Sequence, residues 1–223
     1  MKVLVIDTAL NACTAAVFDG DSPLGVRVEP MAKGHQERIG GLVRDAVADA
    51  GGFDGIARIG VTVGPGSFTG LRVGLAFAQG LGAALGVPVV GISTLAALAR
   101  SADGGAGATA AVIDARRGQV YLQTFQDGAP TMAPTALALD AARETLSGED
   151  RIWAGSGVSL VTGALAAEPI TVPTPEALAA LTIAADPAEA PPTPLYLRAP
   201  DATPPTRLPG QARPPAARPA KPS

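Results

Sequence analysis

Residues 64 to 82, GPGSFTGLRVGLAFAQGLG, constrain this 223-residue chain more than any other stretch. The segment before them, Ile59 to Val63, is a short β-branched run that fits a buried strand. It stops at Gly64. Pro65 fixes φ and lacks an amide donor, while Gly64 and Gly66 open backbone angles closed to other residues, so the chain turns sharply there. Ser67 or Thr69 then caps a helix. Along that helix Gly70, Gly74, Ala78 and Gly82 recur at four-residue spacing and form one ridge of small side chains. Glycine inside a helix costs roughly 0.5–1 kcal/mol relative to alanine, so the ridge calls for another backbone close by. Packing on the chain's own sheet and contact with a second subunit both fit, since small residues allow close approach in either setting. An exposed first turn with free amides would also attract a phosphate. The stretch is not a P-loop, because GxxxxGK[ST] needs a lysine and none occurs between Lys33 and Lys221.

The flanking segments predict an α/β chain. Lys2 to Ile6 reads as a buried strand ended by Asp7 and Thr8, Thr14 to Phe18 returns as a second, and Gly25 to Val28 as a third, a β-meander. After Gly34 a helix carries Ile39, Leu42, Val43, Ala46, Val47 and Ala50 on one face until Gly51 and Gly52 stop it. Beyond the central turn come a strand over Pro88 to Ile92 and a short helix from Thr94 to Arg100, an alternation that implies parallel strands with right-handed crossovers. The glycine-rich link Ser101 to Ala108 marks a boundary, after which the beginning recurs. Val112, Ile113 and Asp114 echo Val5, Ile6 and Asp7, and Asp127-Gly128 echoes Asp19-Gly20, at offsets of 107 and 108 residues. The shared order favours duplication. A strand at Ala136 to Leu139, helices over Ala141 to Leu146, Leu160 to Leu165 and Glu176 to Ala185, and a strand at Ile152 to Ala154 complete the second half. An extended Pro194 to Arg198 docks on the sheet. The division is therefore 1–101, 109–198 and a tail, 199–223.

That tail holds eight of the 21 prolines and no aromatic residue, too little apolar content to offset ordering entropy, so it reads as disordered. It carries Arg207, Arg213, Arg218 and Lys221 against Asp201, a local +3, which leaves the rest of the chain at −6 within the overall −3. An acidic body argues against a large nucleic-acid groove on this chain alone. The tail reads as a solvated linker-like end, with weak phosphate contacts as the other possibility. Cys13 is the only cysteine and His35 the only histidine, which excludes an internal disulfide and a multi-cysteine metal site. The chain opens on a strand without a basic-then-apolar leader, and no apolar run reads as a bilayer span, so a cytoplasmic location is expected.

A duplicated meander-plus-helix unit with an Asp ending the first strand of each half resembles the actin, sugar-kinase and heat-shock ATPase fold, in two lobes. IDTA at 6 to 9, HQERI at 35 to 39, GPGSFTGLRVGLAFAQGL at 64 to 81, GISTLAALA at 91 to 99, DARRGQVY at 114 to 121 and PLYLR at 194 to 198 resemble the bacterial TsaB (YeaZ) family. The resemblance covers nearly everything except the tail. It implies a non-catalytic scaffold or dimerization subunit needed for N6-threonylcarbamoylation of adenosine 37 in tRNAs that read codons beginning with adenosine. In that family the subunit pairs with the related TsaD, which holds the metal and transfers the group, and the pair recruits the ATPase TsaE. ATP and Mg²⁺ would then serve the complex, with no cofactor on this chain alone, tRNA would be met through the complex, and a homodimer could form without TsaD. The family's contact uses the two helices of the first half, which gives the expected partner residues His35, Arg38, Ile39, Leu42, Phe68, Gly70, Leu71, Arg72, Gly74, Leu75 and Ala78.

Catalytic readings fare worse. Where the catalytic relative has closely spaced metal histidines, this chain has Ser93, Thr94, Leu95, Ala96 and Ala97, so no metal site and no peptidase is expected. Asp7 and Asp114 stand where kinases of this fold place catalytic carboxylates, yet an Asp after a strand commonly fixes its own turn. Asp7, Thr8, Gly66 and Ser67 are candidate phosphate contacts, and a stand-alone ATP-dependent phosphotransferase is the alternative function. Ser67 fails as a nucleophile elbow, since Pro65 and Thr69 replace the glycines of G-x-S-x-G. Arg72 is either a solvated charge or, in the family context, half of an interface ion pair.

Overall fold

The computed structural model describes residues 1–148, 150–163 and 170–198; the tail at 199–223 lies outside them. In chain order the elements are β1 Lys2–Asp7, β2 Ala12–Asp19, β3 Ser22–Pro30, α1 His35–Asp49, β4 Ile56–Gly64, α2 Phe68–Leu85, β5 Val89–Ser93 and α3 Thr94–Asp103. There follow β6 Ala108–Arg116, β7 Gln119–Gln126, β8 Ala129–Pro130, β9 Thr135–Ala138, α4 Leu139–Thr145, β10 Ile152–Ala154, α5 Val158–Thr162 and α6 Pro175–Ala184. The predicted elements are present where they fall on described residues, except that the helix expected over Leu160 to Leu165 runs from Val158 to Thr162 and closes at Gly163, its last two positions lying outside the described residues. α3 runs three residues past its expected end at Arg100, closing at Gly104 in a left-handed cap.

Two sheets form. The first has the order β3-β2-β1-β4-β5, with β1 antiparallel to β2 and parallel to β4. The second repeats that logic: β6 pairs antiparallel with β7 and parallel with β10, and β9 extends β7 as β3 extends β2. The echo between Asp7 and Asp114 is thus a true topological repeat. Among the described residues the second sheet has no counterpart of β5 beside β10. The α/β class and the duplicated actin-like fold expected from the pattern are therefore what the chain adopts.

Both faces of the first sheet are covered. Ile39, Leu42, Val43, Ala46 and Val47 of α1 join Leu75 and Ala78 of α2 against Leu4, Ile6, Ile59 and Val61. On the other face Leu178 and Ala179 of α6 and Ala97 of α3 meet Val3, Val5, Phe18, Val90 and Ile92. α3 also turns Leu95, Leu98 and Ala99 toward Ala111, Ile113 and Phe125 of the second sheet, so this one helix is the shared wall between the halves. The far face of the second sheet is closed by Ala142 of α4, Leu146 just after it, and Val158 and Val161 of α5.

The boundary at 109–198 needs correcting. α6 and the segment after it belong to the first half, because their apolar and hydrogen-bonding partners are there. Gly60 on β4 has no side chain to keep Thr182 away: an ideal Cβ would lie 1.8 Å from Thr182 Oγ1. Beside it Arg58 Nη1 donates to the carbonyls of Thr182 at 2.9 Å, Ile183 at 3.3 Å and Ala185, holding the C-terminal end of α6. Arg58→Ala is expected to lower stability by about 2 kcal/mol, because the last carbonyls of α6 lose a charged donor. Urea denaturation checks this, and an unchanged midpoint would mean that apolar packing alone holds α6.

The extended 191–198 segment then runs back over the first sheet, as expected for Pro194 to Arg198. Leu195 N–H donates to Val63 O at 2.8 Å, and Gln79 Nε2 donates to Pro192 O at 3.0 Å. Its end reaches the second half, where Arg198 Nη1 donates to Ala115 O at 3.2 Å.

Candidate partner surface and the cleft between the halves

α2 is built from its N-terminus. Ser67, extended at φ −61° and ψ 121°, accepts from Gly70 N–H at 3.3 Å and so provides the cap. The glycine ridge faces inward. An ideal Cβ on Gly70 would stand 2.1 Å from Thr8 O, on Gly74 2.4 Å from Thr8 Oγ1, and on Gly82 2.4 Å from Val89 Cγ2. The ridge thus lets the helix axis descend onto β1, β4 and β5, which decides between the two readings the spacing left open. By length and composition α2 is also apolar enough to cross a membrane, which no run of the sequence was expected to be. Its buried residues Gly70, Leu71, Gly74, Leu75, Ala78 and Gly82 spend that apolarity on the core.

The expected partner residues divide accordingly. His35, Ile39 and Leu42 on α1 and Gly70, Leu71, Gly74, Leu75 and Ala78 on α2 are buried inside the chain, with His35 and Gly70 also lining a surface pocket of about 440 Å³ beside Lys33, Ser67 and Val73. Amphipathic spacing marks the side that packs at home, so these positions face the chain's own core. His35 is occupied by its own hairpin, Nε2 lying 3.2 Å from Leu10 O. Arg38, Phe68 and Arg72 are exposed. Arg38 forks onto Glu29 of β3, 2.6 Å from Nη2 to Oε2, and holds that carboxyl below its usual range. Arg72 lies 3.7 Å over the Phe68 ring, an intrachain cation–π contact where a solvated charge or an interface ion pair was expected.

The outward faces of the same helices carry small residues as well. On α2, Ala76, Gly80 and Ala83 are exposed, with Val73 and Phe77 half-buried at their side. On α1, Gly40 is exposed and meets only Phe77 Cε2 at 3.7 Å, an ordinary contact. A Cβ added at Gly41 or Gly80 would meet nothing within 4 Å. Each of these glycines costs its helix roughly 1 kcal/mol relative to alanine, and none is needed to avoid a clash within the chain. The signal was readable: Ala76, Gly80 and Ala83 follow helical spacing on the side opposite Gly70, Gly74 and Ala78.

The four candidate phosphate contacts separate in the same way. Asp7 is 1% exposed; its Oδ1 accepts from Ala9 N–H at 2.8 Å and from Thr62 Oγ1 at 2.6 Å. Thr8 is fully buried and its Oγ1 donates to Gly70 O at 2.7 Å. The hairpin closes over both, with Ser67 N–H donating to Ala9 O at 2.7 Å. Asp7 is thus a turn-fixing carboxylate out of a ligand's reach, and neither it nor Thr8 is a phosphate contact. Gly66 and Ser67 do line a cleft of about 450 Å³ between the halves, together with Asn11, Asp114, Arg116, Tyr121, Ser156 and Thr171. Asp114 there orders its own turn, accepting from Arg116 N–H at 2.7 Å and pairing with Arg116 Nη1 at 3.2 Å.

Burial raises the Asp7 carboxyl above its ordinary 3.8, outweighing the hydrogen bonds that lower it. The folded state therefore holds this proton more tightly than the unfolded chain. Its contribution is fully present below 3.8 and is lost as pH rises from there through the folded value. Asp7→Asn is expected to fold and to remove that fall, because its carbonyl can accept the same two bonds. Denaturation in acid and alkaline buffer checks it; collapse of the fold in both would make the ionised carboxylate structurally required.

A family model described as "TsaD: tRNA N6-adenosine threonylcarbamoyltransferase" matches residues 20–154, more than half of the chain. The Escherichia coli protein named tRNA threonylcarbamoyladenosine biosynthesis protein TsaB is 38% identical over 129 residues, which cover 56% of this chain and 55% of that one. A solved Pseudomonas aeruginosa structure described as YeaZ superposes with a TM-score of 0.68 at 29% identity, covering 88% of this chain and 99% of that chain. The chain belongs to the TsaB (YeaZ) family. An uncharacterized Mycobacterium tuberculosis protein is similar over more of the length, 40% identical across 205 residues, 91% of this chain and 94% of that one. Among the described residues of this TsaB-family chain, no group of three or more His, Cys, Asp or Glu is placed to hold a metal ion.

Proposed function

We propose that this chain is the non-catalytic subunit of a tRNA threonylcarbamoylating complex and that it docks a TsaD-type partner on the outward faces of α1 and α2. One observation carries the reading: Gly40, Gly41 and Gly80 stand inside these two helices where an added Cβ would meet at most one ordinary contact within the chain. A second pair of helices laid against this seam could approach closely, because no side chain holds it off. Val73 and Phe77 supply apolar area beside it. The role is architectural, stabilising the partner's active arrangement by binding it. TsaE, ATP and Mg²⁺ act in the assembled complex, in the cytoplasm, on adenosine 37 of tRNAs that read codons beginning with adenosine. The same seam would serve a homodimer when the partner is absent.

The test is the threonylcarbamoyladenosine content of unmodified tRNA after incubation with threonylcarbamoyl-adenylate, TsaD, TsaE and ATP, with and without this chain. Modification is expected to depend on it. Equal modification in its absence would end the subunit role and bring forward the phosphotransferase alternative.

A further inference from the structure

The C-terminal segment and the start of α2 build a second surface, at the N-terminal end of the outward face of α2. Phe68 and Tyr196 are 47% and 46% exposed, with ring centroids 5.4 Å apart and a 36° tilt between planes. Arg72 holds the pair together, its guanidinium over Phe68 and its Nε donating to Tyr196 Oη at 3.2 Å. Two residues further on, Arg198 is tied to Ala115 O. There the β6–β7 turn presents Arg116 and Arg117, both with positive φ, 64° and 54°, and both exposed. Arg116 lines the cleft between the halves, where it also pairs with Asp114, and Phe68 follows the cleft residue Ser67 in sequence, so the four arginines and two rings border that cleft as one rim. The chain continues past Arg198 with Arg207, Arg213, Arg218 and Lys221 against one acid, Asp201.

We infer that this rim binds single-stranded RNA, taking an unpaired base on the Phe68–Tyr196 ring pair and the flanking phosphates on Arg116, Arg117 and Arg198. Every base has a π face, so two exposed rings braced by a guanidinium form a stacking platform. Arginine forks match phosphate oxygens two at a time. An acidic peptide would offer carboxylates to the guanidinium groups but nothing flat to the rings. The overall acidity of the body places this contact in support of a partner-bound tRNA, with the main groove elsewhere. The inference rests on the tRNA role proposed above and says which surface of this chain meets the RNA.

The experiment is fluorescence anisotropy of a labelled, unmodified tRNA anticodon stem-loop titrated with the complex of this chain and TsaD. The Arg116→Glu/Arg117→Glu double variant is expected to weaken binding about tenfold or more and to flatten its salt dependence. Tyr196→Ala is expected to weaken it about tenfold with an unchanged salt slope. Co-elution with TsaD and circular dichroism should match the parent chain in both. Parent-like RNA affinity in both variants would overturn the inference while leaving the subunit role intact. Weakened RNA binding together with chain-independent modification would uphold the rim and remove the subunit role instead.

Discussion

Gly74→Leu is expected to unfold this chain or to leave it marginal, with a loss of about 3–5 kcal/mol. The ideal Cβ alone would stand 2.4 Å from Thr8 Oγ1 and 3.6 Å from Val61 Cγ2. Thr8 cannot step aside cheaply, since it is fully buried and its hydroxyl donates to Gly70 O one turn up the same helix. Overpacking a filled core costs about 1–3 kcal/mol, and stranding a buried hydroxyl and carbonyl adds about 1–3 kcal/mol. Against a total stability of about 5–15 kcal/mol that is a large fraction. Thermal and urea melts followed by circular dichroism measure it. A variant that melts like the parent and merely loses its partner would return the ridge to the subunit contact, since a core position cannot absorb leucine without a shift in stability.

The ridge also shows how far the sequence could be read. Four-residue spacing of glycine and alanine said that something approaches α2 closely, and it does. It could not say what, because α2 carries small residues on two opposite sides, Gly70-Gly74-Ala78-Gly82 and Ala76-Gly80-Ala83. Only the folded chain distinguishes the side with Thr8 pressed against it from the side with nothing there. The repeat of Asp7 in Asp114 was legible because strand order and turn chemistry are local. The return of α6 to the first half was not, because its partners Arg58 and Gly60 lie more than a hundred residues earlier. Asp7 was legible as a strand-ending carboxylate but not as a sealed one, since its cover comes from the β1–β2 hairpin meeting the Gly66–Gly70 turn.

Gly80→Leu is expected to do the opposite of Gly74→Leu. Its Cβ would meet nothing within 4 Å, and φ at this position is an ordinary helical one, so the side chain enters solvent without strain. Replacing a helix-interior glycine by leucine raises helix propensity by several tenths of a kcal/mol, so the melt should hold or rise slightly. Pairing should fail. A leucine projecting from the seam would hold a facing helix off by several ångström, and dispersion attraction forfeited across such a gap is not regained elsewhere in a packed interface. A fall of at least a hundredfold in affinity for TsaD, read by calorimetry, is the expected result, with a matching loss of threonylcarbamoyladenosine in the reconstituted reaction. Gly80→Ala is the graded control, adding one methyl to the same open space. A Gly80→Leu chain that folds and pairs as well as its parent would place the partner elsewhere, and the uncompensated glycines of α1 and α2 would then lack a cause.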